Sequence, residues 1–257
     1  MGTDVGLDPA VREGAILFGR YGFPPNRFGY CGPQDSRAIL DYVSEQHADK
    51  GLLELERQFA GALPYLRLIA LAAGIPEPFH CRVVEAYWIG NELLERVTGQ
   101  ALFDMMTERF RPRATPQAFR WLANKLEHGA RPHHNWHVFD VYTKAGTLRN
   151  KNAEIALHHM DKCRISWGRV LAVQGPSLVV ERQPLELRND RLVLGEPVVV
   201  TVERQIDGRG FVDDVRPGDV VSIHWDWAAE VLTPRKLKWL QRETEHAMRV
   251  ANLALVP

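Results

Sequence analysis

The sequence predicts an α+β protein: an N-terminal, all-helical, bundle-like domain followed by a small β-barrel and a C-terminal helix. Before position 163, apolar residues recur at helical spacing between capping residues; after it, they form alternating runs separated by tight turns. A last amphipathic segment begins at Thr233 and Pro234, a typical helix start. We therefore expect a helical domain over residues 1–162 and a barrel with its terminal helix over residues 163–257.

The composition is typical of a globular protein and gives no overall attraction to nucleic acid. The chain has 257 residues, 45% of them hydrophobic, and its 32 Lys and Arg balance its 32 Asp and Glu. No stretch approaches the roughly 20 apolar residues that cross a bilayer, and the first residues do not resemble a signal peptide. We expect a cytoplasmic protein that binds neither nucleic acid nor a membrane.

Capping residues and helix breakers divide the first part of the chain. Ser36 is a candidate N-cap, and Thr115 before a proline is another. Pro64 must kink or divide the helix that contains it, and Gly99 is a candidate stop. The predicted helices cover residues 36–46, 52–73, 78–98, 116–128, 133–144 and 150–162.

After residue 163, short apolar runs alternate with turns. Residues 169–173 and 178–182 flank a turn and predict a hairpin. A second pair of strands is predicted around Asn189 and Asp190, at residues 185–188 and 191–194, with further strands at 197–204 and 220–225. Strands this short, with too few residues for a sandwich, favour a small closed barrel.

Two segments of this barrel carry a family resemblance. Cys163 opens the first, followed by Gly168 and Val170, and the second reads Arg-Pro-Gly-Asp-Val-Val-Ser-Ile-His and ends at His224. Together with the start of a helix over residues 228–240, they resemble hydrogenase assembly chaperones of the HypC/HupF type, over residues 162–245. Those proteins begin with Met-Cys and later carry a Gly-Asp/Gln-x-Val-x-Val-His segment before a terminal helix. The resemblance implies a HypC-like, OB-like barrel.

The resemblance also implies a function. In that family the cysteine, supported by the histidine, holds the iron that becomes the Fe(CN)2CO unit of nickel–iron hydrogenase and passes it between partner proteins. We therefore expect Cys163 and His224 to lie close together and to bind iron, alone or as Fe(CN)2CO. A soft thiolate and a neutral imidazole suit that metal. The expected partner is a hydrogenase large subunit or another maturation protein.

The chain departs from the family pattern around both segments. Cys163 follows a predicted helix, so it lacks the free terminal amine found beside the family's cysteine. Trp167 replaces the usual proline, and Trp225-Asp226-Trp227 replaces a small apolar segment. These differences bear on partner choice and on metal loading.

A second candidate metal site lies in the helical part. His133, His137 and Asp140 fall at positions i, i+4 and i+7, so one helix face would present two imidazoles and a carboxylate. Such a stripe suits a divalent transition metal. The alternative is an amphipathic helix whose histidines face solvent, because isolated i, i+4 pairs often have no metal.

Cys31 is the remaining candidate. It lies in a loop with glycines and a proline just before the helix capped by Ser36. A thiol near a helix N-terminus tends to have a lowered pKa, which suits metal or redox work; the alternative is a packed loop residue. If the loop folds toward the barrel, Cys31 and Cys163 would offer two thiolates to one iron. Cys81 is expected in the core.

Three functions remain open from the sequence. The favoured one is a non-enzymatic metallochaperone for hydrogenase maturation. The second is an iron-dependent enzyme that uses the histidine stripe to supply a ligand or precursor for the same cofactor. The third is a metal-free docking module in which the barrel resemblance is only structural.

Overall fold

A computed structural model of the chain describes residues 6–111, 115–142, 148 and 152–253. It confirms the predicted α+β architecture of helices, then strands, then a final helix. The α-helices are α1 Pro9–Asn26, α2 Ser36–Ser44, α3 Lys50–Glu56, α4 Leu63–Ala73, α5 Cys81–Trp88, α6 Gly99–Phe110, α7 Pro116–Glu127, α8 His134–Trp136, α9 Ala153–Cys163 and α10 Pro234–Asn252. A 3-10 helix covers Glu92–Arg96 and a π-helix covers His137–Tyr142. None of the helices in the described ranges is long and apolar enough to cross a membrane.

The barrel also follows the prediction. The strands are β1 Ser166–Gln174, β2 Ser177–Arg182, β3 Leu185–Arg188, β4 Arg191–Leu194, β5 Val198–Glu203, β6 Gln205–Ile206, β7 Arg209–Gly210, β8 Val220–His224 and β9 Trp227–Val231. They form a closed barrel in the order β1-β2-β5-β9-β8, with β3-β4 and β6-β7 as separate hairpins. Apolar side chains from alternate positions, including Val170, Val180, Val202 and Val221, fill its interior.

The longest helix of the first part, α1, is absent from the predicted set. Its glycines and the two prolines in its interior, Pro24 and Pro25, lower helix propensity, but packing overrides propensity here. Gly14 shows why: a Cβ at this position would lie 1.8 Å from the carbonyl oxygen of Phe79. Only glycine lets α1 pass this close to the start of α5. At the start of α1, Asp8 is the N-cap and accepts a hydrogen bond from the Ala10 N–H at 2.8 Å.

Three predicted helix boundaries are wrong. The cap of α2 is Asp35, which accepts from the Ala38 N–H at 3.0 Å, and Ser36 is the first helical residue. The helix predicted over 78–98 ends at Trp88, and Thr98 caps the new helix α6. Gly99 therefore starts a helix instead of ending one.

Pro64 does divide its helix, as predicted, because it lies in the first turn of α4. The helix predicted over 133–144 is a short α8 followed by the π-helix, and residues 143–147 lie outside the described ranges, as do 149–151.

The helices and the barrel share contacts that position the site. One hydrophobic cluster contains residues from both parts, from Val11 in α1 to Trp227 in β9. Asn135 connects three elements: its Nδ2 donates to the Ile165 carbonyl at 3.0 Å and to Thr244 Oγ1 at 2.8 Å, and its Oδ1 accepts from the Ile165 N–H at 2.7 Å. These bonds fix α8 against the start of β1 and against α10.

Candidate metal centre

Three side chains converge where α8, α9 and β8 end or begin. Cys163 is the last residue of α9, His224 the last of β8, and His134 the first of α8. One ligand atom from each lies within 4.8 Å of the others, and all three are buried. Metal bonds of about 2.0–2.3 Å separate two ligands of one ion by up to about 4.6 Å, so the three atoms need little movement to share an ion. The predicted proximity of Cys163 and His224 is confirmed.

His224 has the geometry of a metal ligand. Its Nδ1 lies 2.7 Å from the Tyr21 carbonyl oxygen, which only accepts, so Nδ1 carries the proton. The lone pair is then on Nε2, which is buried and makes no hydrogen bond of normal geometry to the described residues. The Cys163 main chain lies near this ring as well. Burial lowers the pKa of His224 to about 4, so the ring is neutral near pH 7. A carbonyl that holds the other ring nitrogen is the usual support of a metal-bound histidine.

His134 has the opposite tautomer. Its Nε2 lies 2.9 Å from the Cys163 carbonyl oxygen and therefore donates. Its Nδ1 accepts from the Tyr87 hydroxyl at 3.2 Å, so a metal bound there must displace that hydroxyl. Burial lowers the pKa of His134 well below its usual value, and the neighbouring His224 adds to this effect.

Cys163 is protonated in the absence of a metal. Burial raises the pKa of its thiol to about 12, the nearby Cys31 adds to the rise, and the Trp225 indole lowers it by hydrogen bonding. A metal that binds here releases the thiol proton, as metals do at cysteine ligands.

Trp225 adopts a backbone conformation that a bulky residue rarely takes. Its φ is 50° and that of Asp226 is 57°, in the two-residue turn between β8 and β9, where asparagine and glycine are the usual residues. Strain of this kind persists where the surrounding structure imposes it, typically at functional sites. The turn is held by the Trp225 N–H, which donates to the Lys162 carbonyl at 2.9 Å, one residue before Cys163.

The three residues face a narrow pocket of about 70 Å³. A single water molecule needs roughly 10–15 Å³ of such cavity volume, so the pocket has room for about five groups of the size of water. Its lining includes two thiols, three imidazoles and several aromatic rings: Cys31, Cys163, His134, His137, His224, Tyr30, Tyr87, Tyr142, Trp88 and Trp225.

Cys31 reaches this pocket, although it is not among the three converging residues. Asn26 holds its loop by donating to the Cys31 and Pro33 carbonyls, both at 2.6 Å. The residue as a whole is exposed, yet it lines the pocket, and burial raises the pKa of its thiol to about 12. The expected lowering of this pKa is therefore wrong, because desolvation outweighs any effect of α2.

The predicted stripe of His133, His137 and Asp140 does not form one site. His133 has extended backbone and caps α8, its Nδ1 accepting from the Asn135 N–H at 3.1 Å. Asp140 pairs with Lys125 at 3.0 Å, away from the pocket. Of the three, only His137 lines the pocket. His133 precedes the helix as its cap, and the π-helix from His137 onward changes the 3.6-residue spacing between His137 and Asp140.

His137 is held by a tyrosine hydroxyl. The Tyr65 hydroxyl lies 3.0 Å from His137 Nδ1 and 3.5 Å from Met106 Sδ, and its one proton serves only one of these two contacts. Burial lowers the pKa of His137 to about 3, so this ring is also neutral near pH 7.

The sequence pattern does not single out His134. Pro132 predicts a helix start that directs His133 inward, whereas in the structure His133 is the cap and His134 is the first helical residue.

One family model matches residues 10–257, and it describes a family of unknown function, DUF6390; the chain belongs to this family. No curated protein and no solved structure matches the chain. The match covers the helices and the barrel together, so both halves of the pocket fall within one family unit.

Proposed function

We propose that this member of the DUF6390 family is a metallochaperone that holds iron, alone or as the Fe(CN)2CO unit, through the Cys163 thiolate. It delivers this cargo to a hydrogenase large subunit or to another maturation protein. The observation that supports the proposal most is the buried cluster of Cys163, His224 and His134, in which one ligand atom of each lies within 4.8 Å of the others and His224 Nε2 makes no hydrogen bond to the described residues.

The chemistry of the pocket lining favours a soft or intermediate metal. None of the described lining residues is a carboxylate, the ligand that Mg²⁺ and Ca²⁺ prefer. Thiolate and imidazole are the ligands of iron, zinc and copper. The choice of iron rests on the resemblance of the barrel to the HypC/HupF chaperones.

Cys31 and His137 extend the donor set. With both thiols deprotonated, Cys31 and Cys163 balance the charge of one Fe²⁺, which favours binding in a buried pocket. His137 offers a further neutral imidazole in the pocket lining. We assign the main role to Cys163, a supporting role to His224, and secondary roles to Cys31, His137 and His134.

The mouth of the pocket suits contact with a partner protein. Tyr30 stacks on Trp225 with ring centroids 4.3 Å apart, and Phe28, Tyr30 and Tyr142 expose about half of their surface, at 54%, 46% and 48%. Aromatic residues are enriched at protein interfaces. A carrier must present its cargo at such a surface.

The structure gives the iron-enzyme alternative less support than the sequence pattern does. It depended on the stripe of His133, His137 and Asp140, of which only His137 lines the pocket. A docking module without metal remains an outcome of the test below.

Anaerobic purification followed by metal analysis and infrared spectroscopy tests the proposal. We expect iron in the wild-type protein, with nitrile and carbonyl bands if the cargo is Fe(CN)2CO. Cys163→Ser should lose the iron, while the matched control Cys81→Ser, at a thiol outside the pocket lining, should keep it. Equal iron in the two variants, or none in the wild type, would refute the carrier function.

A further inference from the structure

We propose that the Trp88 indole N–H donates a hydrogen bond to a small ligand carried by the metal in this pocket. This inference rests on the proposed function and narrows the class of cargo. It distinguishes a pre-ligated metal from a bare ion held by protein side chains alone.

The position of Trp88 is the first observation. Trp88 is the last residue of α5, lines the pocket and is 3% exposed. Its ring lies 4.5 Å from the His134 ring and 5.7 Å from the His224 ring, between centroids. It therefore borders the space in which the candidate ligand atoms converge.

The state of its N–H is the second observation. Trp88 Nε1 is buried and has no hydrogen-bond partner in the described part of the chain. Leaving a buried donor unpaired costs about 1–3 kcal/mol, so such donors normally have an acceptor. An acceptor inside the pocket would remove this cost.

A metal cation cannot be that acceptor, because it has no electron pair to offer an N–H donor, and the indole nitrogen has no in-plane lone pair with which to bind the metal. A metal held only by Cys163 and His224 would therefore leave the donor unpaired. An anionic ligand on the metal, with a second electron pair directed away from it, would accept the bond. The pocket volume restricts such ligands to diatomic or similarly small groups.

Tyr87 supplies a second donor of this kind. Its hydroxyl bonds His134 Nδ1 at 3.2 Å, a long bond for an O–H donor, and it lines the pocket. If His134 binds the metal through Nδ1, the Tyr87 hydroxyl is released and becomes free to donate to a ligand on that metal. The Trp225 indole N–H also makes no hydrogen bond of normal geometry to the described residues. It lies beside the Cys163 thiol, whose charged form it would stabilise, so we assign it to the thiolate and not to the ligand.

Cyanide binding to the Fe(II)-loaded protein tests the inference. The protein is loaded anaerobically with Fe(II), and cyanide is titrated with the nitrile infrared band as readout. Trp88→Phe removes the donor and keeps an aromatic ring. Trp227→Phe is the matched control, since Trp227 is also buried with an unpartnered indole N–H but packs against Phe23 and Phe211, away from the pocket.

We expect Trp88→Phe to bind Fe(II) with the affinity of the wild type. Its affinity for cyanide should fall at least about tenfold, and the nitrile band should shift, because the hydrogen bond to the ligand is lost. Trp227→Phe should match the wild type in Fe(II) affinity, cyanide affinity and nitrile band position. Normal Fe(II) binding with unchanged cyanide affinity and band position in Trp88→Phe would overturn this inference alone. Failure of the wild type to bind Fe(II) would overturn both it and the proposed function.

Discussion

At the residue scale, His224 owes its availability as a ligand to one hydrogen bond. The Tyr21 carbonyl fixes the proton on Nδ1 and leaves the lone pair on Nε2, which makes no hydrogen bond to the described residues. The same phenolic residue bonds Ser222 and Glu230 through its hydroxyl, at 2.9 Å and 3.0 Å. Helix α1 therefore orients a ligand on the barrel, although the sequence between them spans 203 positions.

Replacing His224 should weaken metal binding without abolishing it. We expect His224→Ala to lower the Fe(II) affinity at least about tenfold, as loss of a supporting group at a metal site does. The loss should be smaller than in Cys163→Ser, because the thiolate also supplies charge. His158→Ala, at an exposed histidine, is the control. An affinity for Fe(II) that is equal in His224→Ala and wild type would exclude His224 from the site.

A second residue-scale prediction concerns Glu56, which is fully buried in α3. Its two carboxylate oxygens have no hydrogen-bond partner in the described ranges, and burial raises its pKa well above 4.5. Above pH 4.5 the native state thus binds more protons than the unfolded state, so the free energy of unfolding falls as pH rises.

Glu56→Gln removes this titration. We expect the variant to gain stability relative to wild type as pH rises from 4 to 8, by about 1–3 kcal/mol at the upper end. Urea unfolding at several pH values measures this difference. The exposed neighbour Glu54→Gln should show no such trend. A constant difference between Glu56→Gln and wild type across this range would contradict the assignment.

At the element scale, the change from helices to strands and the barrel hairpins could be predicted from periodicity and turn residues. The π-helix could not, because nothing in the sequence of residues 137–142 marks the extra residue per turn. Because His133 is the cap, His134 is the first helical residue, and His134 lines the pocket in place of His133. Helix α1 was missed because its glycines serve close packing, which propensity does not describe.

Lys125 in α7 holds the π-helix against the end of α10. Its ammonium group pairs with Asp140 at 3.0 Å and donates to the Val250 and Ala251 carbonyls, and both charged side chains are buried. Removing one partner of a buried ion pair typically costs about 3–5 kcal/mol, because the other charge stays buried and unpaired.

We therefore expect Lys125→Met to lower the free energy of unfolding by about 3–5 kcal/mol, measured by chemical denaturation. Lys125→Met combined with Asp140→Leu should recover most of that loss. Lys50→Met, at an exposed lysine, should change little. A double variant as unstable as Lys125→Met would show that the ion pair does not account for the loss.

At the scale of the whole molecule, the pocket exists only because the helices and the barrel are packed together. Cys31, His134 and His137 come from the helical part, His224 comes from the barrel, and Cys163 lies at the junction. The sequence indicated Cys163 and His224 through the resemblance and indicated Cys31 and His137 separately. That all four line one pocket depends on tertiary packing, which no local pattern encodes.

X-ray absorption at the iron edge of the Fe(II)-loaded protein tests the central claim, that Cys163 and His224 bind a metal together. We predict a sulfur shell at about 2.3 Å and an imidazole nitrogen shell at about 2.0–2.1 Å, the lengths that thiolate and histidine bonds to Zn²⁺ also have. The sulfur shell should be lost or reduced in Cys163→Ser. An iron surrounded only by oxygen and nitrogen in the wild type, or an unchanged sulfur shell in Cys163→Ser, would contradict the account.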